Sequence, residues 1–478
     1  MTRMRFRWQL LLVVVAALVA RAVVAMVTVY QVDDAMITFR YAENLAAGLG
    51  FVYNAGEHVL GTTSPLWTLI LALTALLHAN VPATALWISL ICSGMTAGAV
   101  YCLARALRAG RWALLAGLVY ALNPRSVTVD VCGLEVALFA FLTVTSLYRL
   151  RRGKSGEALL YAAFAALTRP EGALLFLAIV GLIYFQRRRV AIIDWLLALV
   201  PLAAWVVFAS LYFGSPVPNS MVAKAGLYGH DPIPLLHRLA QMLSLTNAAG
   251  WLLWIGALLA VIFGRNQRSR LLVLVGIILV IALPIAAFSL RIFFWYPAPL
   301  LPLLIILAAC GISSLSSRFS SMQDSRRMKL AVAVVVVLLL VIAVPVLAKR
   351  AVGLQAEMQW YRKTHIAAAE YLNAHARPDE TVIAEDIGHF GYHYRGRIVD
   401  RDGLVTPQAI PYNKTQRYFE FIDSVDADWL LLAVMHHPSS TLREQPRFLE
   451  NYRPIDYEIS VSNSSHRLYR RQRPGLAP

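Results

Sequence analysis

The sequence predicts an α-helical membrane protein with many spans and a small water-soluble α/β domain at its C-terminal end. Hydrophobic residues make up 58% of the chain and charged residues only 15%. Apolar runs of about 20 residues recur, and this length crosses ~30 Å of hydrocarbon. The net charge of +17 could indicate nucleic-acid binding, but 20 of the 44 Lys and Arg residues fall in six short clusters between apolar runs. Such clusters are typical of cytoplasmic loops, so no nucleic-acid partner is expected.

The first apolar run, residues 10–30, follows Arg3, Arg5 and Arg7. These arginines predict a cytoplasmic N-terminus and a first span that crosses outward. A cleaved secretory signal is the alternative, but further spans follow, which favours a retained helix. Arg21 lies within the run and is expected to form a structural ion pair.

The apolar run at residues 64–79 is ambiguous, because its 16 residues are short for a span and suit an interfacial or re-entrant helix. If this run does not span, every later basic cluster falls on the cytoplasmic side. We therefore expect eleven spans, with a first outer loop over residues 31–82. The ten further spans are predicted near residues 83–104, 112–123, 134–149, 157–168, 172–186, 190–213, 240–263, 271–290, 297–316 and 330–348.

The composition changes near residue 349, which divides a membrane domain (1–348) from a soluble domain (349–478). The second part holds 17 Lys and Arg and 16 Asp and Glu, so it is nearly neutral. A helical pattern over Met358–His375 precedes strand-like segments, which favours a small α/β unit. These segments are TVIAE at Thr381, RIVD at Arg397, WLLLAV at Trp429 and YEISVS at Tyr457. An odd number of spans predicts that this domain is extracytoplasmic.

Two adjacent acids, Asp33 and Asp34, follow the first predicted span. Ionisable side chains at a membrane boundary lose hydration, so they are kept mainly where they pair, bind ions or take part in chemistry. Asp34 is expected to cap a helix over Ala35–Ala47, and Gly48 to end it. Asp33 is then freer to face a cavity. The alternative is that both acids only cap this helix and pair with Arg40.

Few cations remain on the predicted outer side of the membrane domain: Arg40, Arg125, Arg169, Lys224, Arg238 and Arg291. Positive residues are disfavoured in short outer loops, so these cations are candidates for binding an anion such as a lipid phosphate. Sugar transfer from a lipid phosphate needs a base for the acceptor hydroxyl and cations for the departing phosphate. Acids and cations on one side of the membrane would supply both.

Several motifs carry a family resemblance. The segment DDAMITFRYAENL, the following GxGFVYNxGE and TTSPLW resemble the first outer loop of membrane-embedded glycosyltransferases of the GT-C class, which use polyprenyl-phosphate sugars. The chain is most similar to the actinobacterial cell-wall arabinofuranosyltransferases and their wider bacterial relatives. Further matching motifs are GLEVALFAFL, LTRPEG, PVPNSMVAK, RIFFWYPAPLLPLL and EDIGHFGYHYRGRIVDRDGLVTP. The resemblance implies two helices along the outer membrane face and an extracytoplasmic C-terminal domain.

The resemblance implies that Asp33 is the catalytic base, and it favours a donor-binding role for Lys224. In the expected mechanism, Asp34 would orient the acceptor or hold a divalent metal ion. Arg291, Lys224 and Arg169 would neutralise the donor phosphate. Each cation has an alternative, because Arg169 could pair with a neighbouring acid in LTRPEG, Lys224 could be solvated, and Arg291 could extend to the membrane interface.

Five residues complete the candidate site as substrate-binding groups: Arg40, Glu57, Asn219, His389 and Tyr392. His389 and His393 have the i, i+4 spacing of a helical metal pair. Two glycines in the same segment argue against a helix, so a loop over the site is expected instead of a zinc pair. Tyr392 could stack on a sugar or simply pack.

The expected function is that of an inverting glycosyltransferase in the bacterial cytoplasmic membrane. It would take a sugar from a polyprenyl-phosphate donor to a cell-envelope glycan or lipid on the outer side. A transporter or lipid flippase is the alternative, and a structural partner without chemistry is a third. Transporters hold their binding groups near the midplane on interrupted helices. The acids here collect in one outer loop, which favours the enzyme.

Overall fold

The computed structural model describes residues 3–230, 232–244, 248–263, 268–317, 325–433, 442, 445–455 and 466–472. Most of this part of the chain is helical. The helices up to residue 361 are α1 (Arg3–Thr28), α2 (Asp33–Ala46), α3 (Pro65–Leu76), α4 (Val81–Ala106), α5 (Trp112–Leu122), α6 (Pro124–Asp130), α7 (Val136–Arg151), α8 (Ser155–Thr168), α9 (Glu171–Phe185), α10 (Ile192–Phe213), α11 (Asn219–Tyr228), α12 (Leu235–Ser244), α13 (Ala248–Phe263), α14 (Arg268–Phe288), α15 (Leu301–Ser316) and α16 (Ser325–Tyr361).

The described residues of each predicted apolar run are mainly helical, and the described part of the run at 240–263 belongs to two helices, α12 and α13. Five segments in the described ranges are long and apolar enough to cross a membrane: α1, α4, α10, α14 and Ala298–Ser316. The predicted class, a polytopic helical membrane protein, is confirmed. Other helices are shorter, and the 11 residues of α5 extend only about 16 Å at ~1.5 Å per residue. The count of eleven spans therefore stays a prediction.

The two helices between α1 and α4 are short. The 12 residues of α3 extend about 18 Å, less than the hydrocarbon thickness. Its Trp67 and Leu71 are buried in a cluster with Phe39 of α2, whereas Leu69 and Leu73 are exposed. An apolar helix with one buried and one exposed face suits the predicted position along the membrane surface.

The start of α2 differs from the prediction. The helix begins at Asp33, its N-cap is Val32, and no side chain caps it. The expectation that Asp34 caps a helix over Ala35–Ala47 is therefore wrong, because both acids lie in the first helical turn and bind other elements. Gly48 follows the end of this helix with a φ of 78°, the left-handed conformation that favours glycine.

Arg21 of α1 is fully buried inside the helical bundle. Its guanidinium forms an ion pair with Asp130 of α6 at 2.9 Å and donates to Ser126 Oγ, also at 2.9 Å. Ser93 of α4 donates to the same Asp130 carboxylate at 2.5 Å. The structural ion pair expected for Arg21 is thus present, and it joins α1, α4 and α6.

The C-terminal domain continues directly from α16. Its elements are a π-helical turn (Arg362–Ile366), α17 (Ala367–His375), β1 (Val382–Ala384), α18 (Ile387–His393), β2 (Ile398–Asp400), α19 (Ile410–Asn413), α20 (Tyr418–Val425), β3 (Trp429–Ala433), α21 (Pro446–Asn451), β4 (Tyr452–Pro454) and β5 (His466–Arg471). The predicted helix over Met358–His375 and the strands at Thr381, Arg397 and Trp429 are present. The strand predicted at Tyr457 lies outside the described residues.

The sheet has the strand order β2-β1-β3-β5-β4. β1 pairs in parallel with β2 and β3, while β5 pairs antiparallel with β3 and β4. Trp429 and Phe390 are fully buried between this sheet and its helices.

The segment before β2 is helical, which corrects the loop predicted around His389 and His393. Gly388 and Gly391 lie inside α18. Both allow close packing, because a Cβ atom at Gly391 would lie 1.7 Å from the Tyr53 hydroxyl. The glycines therefore reflect a crowded helix surface, not the absence of a helix.

Candidate active site

Asp33 at the start of α2 is bound by the start of α18. One carboxylate oxygen accepts a hydrogen bond from the Gly388 amide at 2.8 Å, and the other accepts one from the His389 amide at 2.6 Å. The first N–H groups of a helix have no partner within it, so they bind a carboxylate favourably. Asp33 therefore joins the segment after α1 to the C-terminal domain.

Gly388 permits this contact because it has no side chain. A Cβ atom there would lie 1.9 Å from the Asp33 backbone oxygen and 2.5 Å from its carboxylate carbon. Any other residue would push α18 away from α2.

The surroundings of Asp33 favour its protonated form. Burial raises the pKa of the Asp33 carboxyl well above its ordinary value, and the carboxylates of Asp386 and Asp34 raise it further. The amides of His389 and Gly388 lower this pKa, because they stabilise the charged form, but they do not outweigh burial. Asp33 thus holds a proton more tightly than an exposed aspartate, so its carboxylate is the stronger base of the two.

Asp34 binds a different partner, Lys224 of α11. The Lys224 ammonium donates to Asp34 Oδ2 at 3.0 Å and lies 4.9 Å from the centre of the Phe293 ring. Burial acts to lower the pKa of Lys224, but Asp34 and neighbouring tyrosines outweigh it and raise this pKa above its ordinary value. Lys224 is therefore a charged ammonium beside the acid pair, and about a quarter of its side chain (26%) is exposed.

Arg291 lies near Tyr228, an aromatic residue of α11 that is also close to Lys224. Its guanidinium carbon is 5.6 Å from the centre of the Tyr228 ring, and Arg291 is exposed. Burial raises the pKa of Tyr228 to about 12, Asp402 adds to this shift, and Lys224 and Arg291 oppose it. Tyr228 therefore lies within the field of both cations expected to bind phosphate.

Arg169, the third predicted phosphate ligand, is buried and paired with two acids. Its Nη1 lies 2.5 Å from Glu135, and its Nε lies 2.6 Å from Glu171. Pairing with a neighbouring acid was the alternative role, and it is present. The guanidinium carbon also lies 6.0 Å from the ring centre of Tyr296. Burial raises the pKa of Tyr296, and the charge of Lys224 opposes this rise. Tyr296 is thus close to both Arg169 and Lys224.

Arg40 holds the first loop against the C-terminal domain. Its Nε donates to the Tyr53 carbonyl at 2.9 Å. Its two terminal nitrogens donate to three carbonyls of the other domain, those of Gly391, Tyr394 and Gly396. The alternative in which the acid pair binds Arg40 is not the observed arrangement.

Asn219 and Glu57 also lie at this junction. The Asn219 amide donates to the carbonyls of Gly403 at 2.7 Å and Leu404 at 2.9 Å. Glu57 accepts from Arg397 Nε at 2.5 Å. Both side chains therefore contact the C-terminal domain, and their contact with substrate stays a prediction.

His389 and Tyr392 belong to α18 of the C-terminal domain, and both contact the segment that contains α2. His389 Nε2 lies 3.0 Å from the Gln31 carbonyl, and its ring lies 4.2 Å from that of Tyr361. The Tyr392 hydroxyl donates to Glu43. The residues predicted to bind substrate are thus brought together, but mainly as contacts between the two parts of the chain.

The acid pair does not present both carboxylates to one position. Asp33 is bound by amides of α18 and Asp34 by Lys224, so a shared metal ion would have to displace these partners. The arrangement of the two acids therefore does not fit a metal ion bound by both carboxylates.

Four side chains around the cations were not predicted from the sequence: Tyr228, Phe293, Tyr296 and Asp402. The signal available was the dense aromatic run FFWYP after Arg291, because aromatic rings beside cations form stabilising contacts. Asp402 lies inside the motif RIVDRDGLVTP, and only the fold brings it near α11.

Comparison with known proteins gives one sequence relative and several structures. The chain is 30% identical over 226 residues to a terminal β-(1→2)-arabinofuranosyltransferase from Corynebacterium glutamicum. This match covers 40% of the chain and 33% of the relative, so the chain spans about one third of the length of that protein. Residues 353–472 match a family described as a domain of unknown function, DUF8728.

The whole chain also resembles solved membrane proteins. ArnT from Cupriavidus metallidurans, bound to undecaprenyl phosphate, aligns with a TM-score of 0.60 at 15% identity over 96% of this chain and 97% of that one. The oligosaccharyltransferase AglB from Archaeoglobus fulgidus, in complex with an inhibitory peptide and a dolichol-phosphate, aligns with a TM-score of 0.54 at 13% identity. This alignment covers 91% of this chain and 70% of the AglB chain.

At such low identities these alignments define the fold. The chain is a polytopic membrane protein with the fold of the GT-C class of glycosyltransferases. It carries arabinofuranosyltransferase-like sequence in addition.

Proposed function

We propose that the protein transfers a sugar from a polyprenyl-phosphate donor to a hydroxyl of a cell-envelope glycan or lipid, with inversion at the anomeric carbon. Transfer would occur on the outer face of the bacterial cytoplasmic membrane, with the N-terminus cytoplasmic. The observation that carries this proposal is the 3.0 Å pair of Asp34 and Lys224 directly beside Asp33. A base and a phosphate-binding cation are thereby adjacent on a GT-C fold.

In this mechanism Asp33 removes the proton from the acceptor hydroxyl. The acceptor oxygen then forms a bond to the anomeric carbon as the bond from that carbon to the phosphate oxygen breaks. The electron pair leaves with the phosphate, and the proton stays on Asp33. The raised pKa of Asp33 supports this role, because a base that is too weak would not accept the proton.

The two accessible cations would stabilise the departing phosphate. Lys224 lies beside the acids, and Arg291 contacts Tyr228, which is close to both cations. Asp34 would keep Lys224 in place and orient the acceptor. Arg169 already has two carboxylate partners, so it would not contact the phosphate directly. Its role would instead be to hold Tyr296 in position.

The transporter alternative needs charged groups that are open to a substrate within the bundle. The buried arginines Arg21 and Arg169 are instead paired with carboxylates at 2.9 Å and 2.5 Å. This arrangement suits structural ion pairs and favours the enzyme.

The test is an assay of glycosyl transfer with the purified protein reconstituted in sealed proteoliposomes, where transport across the membrane can be measured in the same sample. Polyprenyl-phosphate arabinofuranose is the first donor to examine, given the sequence relative, followed by donors with other sugars. We expect consumption of one donor class with an acceptor glycan, and a product of inverted anomeric configuration by NMR. Retained configuration would contradict direct displacement. Transport of an intact lipid sugar without any transfer product would support the flippase.

A further inference from the structure

A second group of polar side chains lies in the C-terminal domain, behind the helix that holds Asp33. His365 comes from the π-helical turn, Asp386 directly precedes α18, and His466 begins β5. One ligand atom from each residue lies within 4.8 Å of the other two. His466 Nε2 is 3.3 Å from the Asp386 carboxylate, and the two imidazole rings are 4.5 Å apart.

The tautomer of His365 follows from its hydrogen bonds. The Thr364 hydroxyl donates its hydrogen to the Trp360 carbonyl at 2.7 Å. The same hydroxyl oxygen lies 2.8 Å from His365 Nδ1, so Nδ1 must carry the hydrogen of that second bond. His365 Nε2 is then the nitrogen with the free lone pair.

This lone pair is buried and lacks a hydrogen-bond partner among the described residues. His365 is fully buried, and its Nε2 makes no hydrogen bond there. A buried polar atom without a partner is costly, and an ion is one of the groups that would satisfy it. A hydrogen bond on the opposite ring nitrogen is also how proteins fix the histidines that ligate metals.

We propose that His365, Asp386 and His466 form a binding site for a divalent transition metal ion, with Zn²⁺ as the best fit. Two imidazoles and one carboxylate are typical zinc ligands, and a fourth position would remain for water. Ligand atoms about 2.0 Å from a tetrahedral ion are roughly 3.4 Å apart, close to the observed 3.3 Å between His466 and Asp386.

The remaining separations would close by side-chain rotation. Asp386 is exposed by 46%, so its carboxylate is free to move inward. Trp360 lies against both imidazoles, at 5.0 Å from His365 and 5.5 Å from His466, and forms an apolar wall on one side.

The ion would join three elements that are distant in sequence: the turn after α16, the start of α18 and β5. Gly388 and His389 closely follow Asp386 and hold the Asp33 carboxylate. A metal at this site would therefore also fix the position of Asp33. The effect on Asp33 rests on the proposed function. Metal binding itself is independent of that function.

The test uses full-length protein that is stripped with a chelator and then titrated with Zn²⁺ or Co²⁺. We expect one equivalent per chain by elemental analysis, a visible spectrum of four-coordinate Co²⁺, and a higher unfolding temperature with Zn²⁺. Asp386→Asn changes an accessible ligand, so it should fold and weaken Zn²⁺ binding by roughly 100-fold or more. Asp379→Asn, at a position 78% exposed in the same domain, is the matched control and should bind normally.

Two results would overturn the proposed metal site. One is folded wild-type protein that takes up no stoichiometric metal, and the other is Asp386→Asn protein that binds Zn²⁺ as tightly as wild type. Stoichiometric binding without any change in glycosyl transfer on metal removal would leave the site intact and overturn its role in positioning Asp33. Absence of glycosyl transfer in every condition would count against the proposed function, while the binding measurements would still decide the metal site.

Discussion

At the residue scale, the decisive feature is the Asp33 carboxylate, whose pKa is subject to two opposing influences. Burial and Asp386 raise the pKa of Asp33, while the His389 and Gly388 amides lower it. A group in this position is both oriented and basic, because the hydrogen bonds fix its direction and burial retains its affinity for protons.

Removal of the carboxylate proposed as the base should reduce turnover. In Asp33→Asn, we expect kcat to fall by roughly 10² to 10⁴, the usual contribution of general acid–base catalysis, with little change in donor binding. Steady-state assays with a defined acceptor would measure both. Asp379→Asn makes the same chemical change on an exposed side chain and should leave both constants unchanged. Near-normal turnover in Asp33→Asn would move the role of base to Asp34.

The pH dependence of transfer should reflect the same group. The pKa of Asp33 is raised, so the carboxyl keeps its proton to a higher pH than an ordinary aspartate. Since only the deprotonated form acts as a base, kcat/KM should rise with pH, with its midpoint above the ordinary aspartate range. A rate that is flat across this range in the wild type would contradict the assignment.

The exposed cation should affect donor binding as well as turnover. Arg291→Ala should raise the donor KM and lower kcat, because a phosphate contact exists in both the ground state and the transition state. Arg453→Ala removes an exposed arginine from β4 and is the control. Isothermal titration with polyprenyl phosphate alone would measure the ground-state contact, and unchanged affinity would exclude Arg291 as a ligand.

At the scale of elements, the apolar runs were sufficient to predict the helices, because burial in lipid or in a bundle requires long apolar segments. The start of α2 was not predictable from local capping patterns, because its acids bind α18 and α11, which are distant in sequence. The helical state of α18 was hidden for a similar reason. Glycine lowers helix propensity, but Gly388 and Gly391 are needed here for close packing that only the fold reveals.

The contact between α2 and α18 can be tested without changing any charge. Gly388→Ala should separate the two helices, because its Cβ would lie 1.9 Å from the Asp33 backbone oxygen. We expect a lower unfolding temperature and loss of most glycosyl transfer. Gly353→Ala is the matched control, since its Cβ meets no atom within 4 Å and alanine favours the helix α16. Equal behaviour of the two variants would show that the contact does not matter.

At the scale of the whole molecule, the basic clusters predict which side of the membrane each part faces. A reporter fused after Lys349 should be extracytoplasmic, and one inserted at Arg108 should be cytoplasmic. Accessibility of the two reporters to a membrane-impermeant reagent would measure this. A cytoplasmic position after Lys349 would overturn the eleven-span topology and make residues 64–79 a true span.

The pairing of Asp33 with α18 also has a consequence for biosynthesis. Asp33 and Gly388 are 355 residues apart, so the ribosome makes the acid long before the amides that bind it. Membrane helices that insert in order would leave this carboxylate without its partners until α18 has been made and has folded against α2. Assembly of the site therefore follows insertion of the helices up to α16, and a nascent polypeptide that stalls earlier carries the acid without the means to orient it.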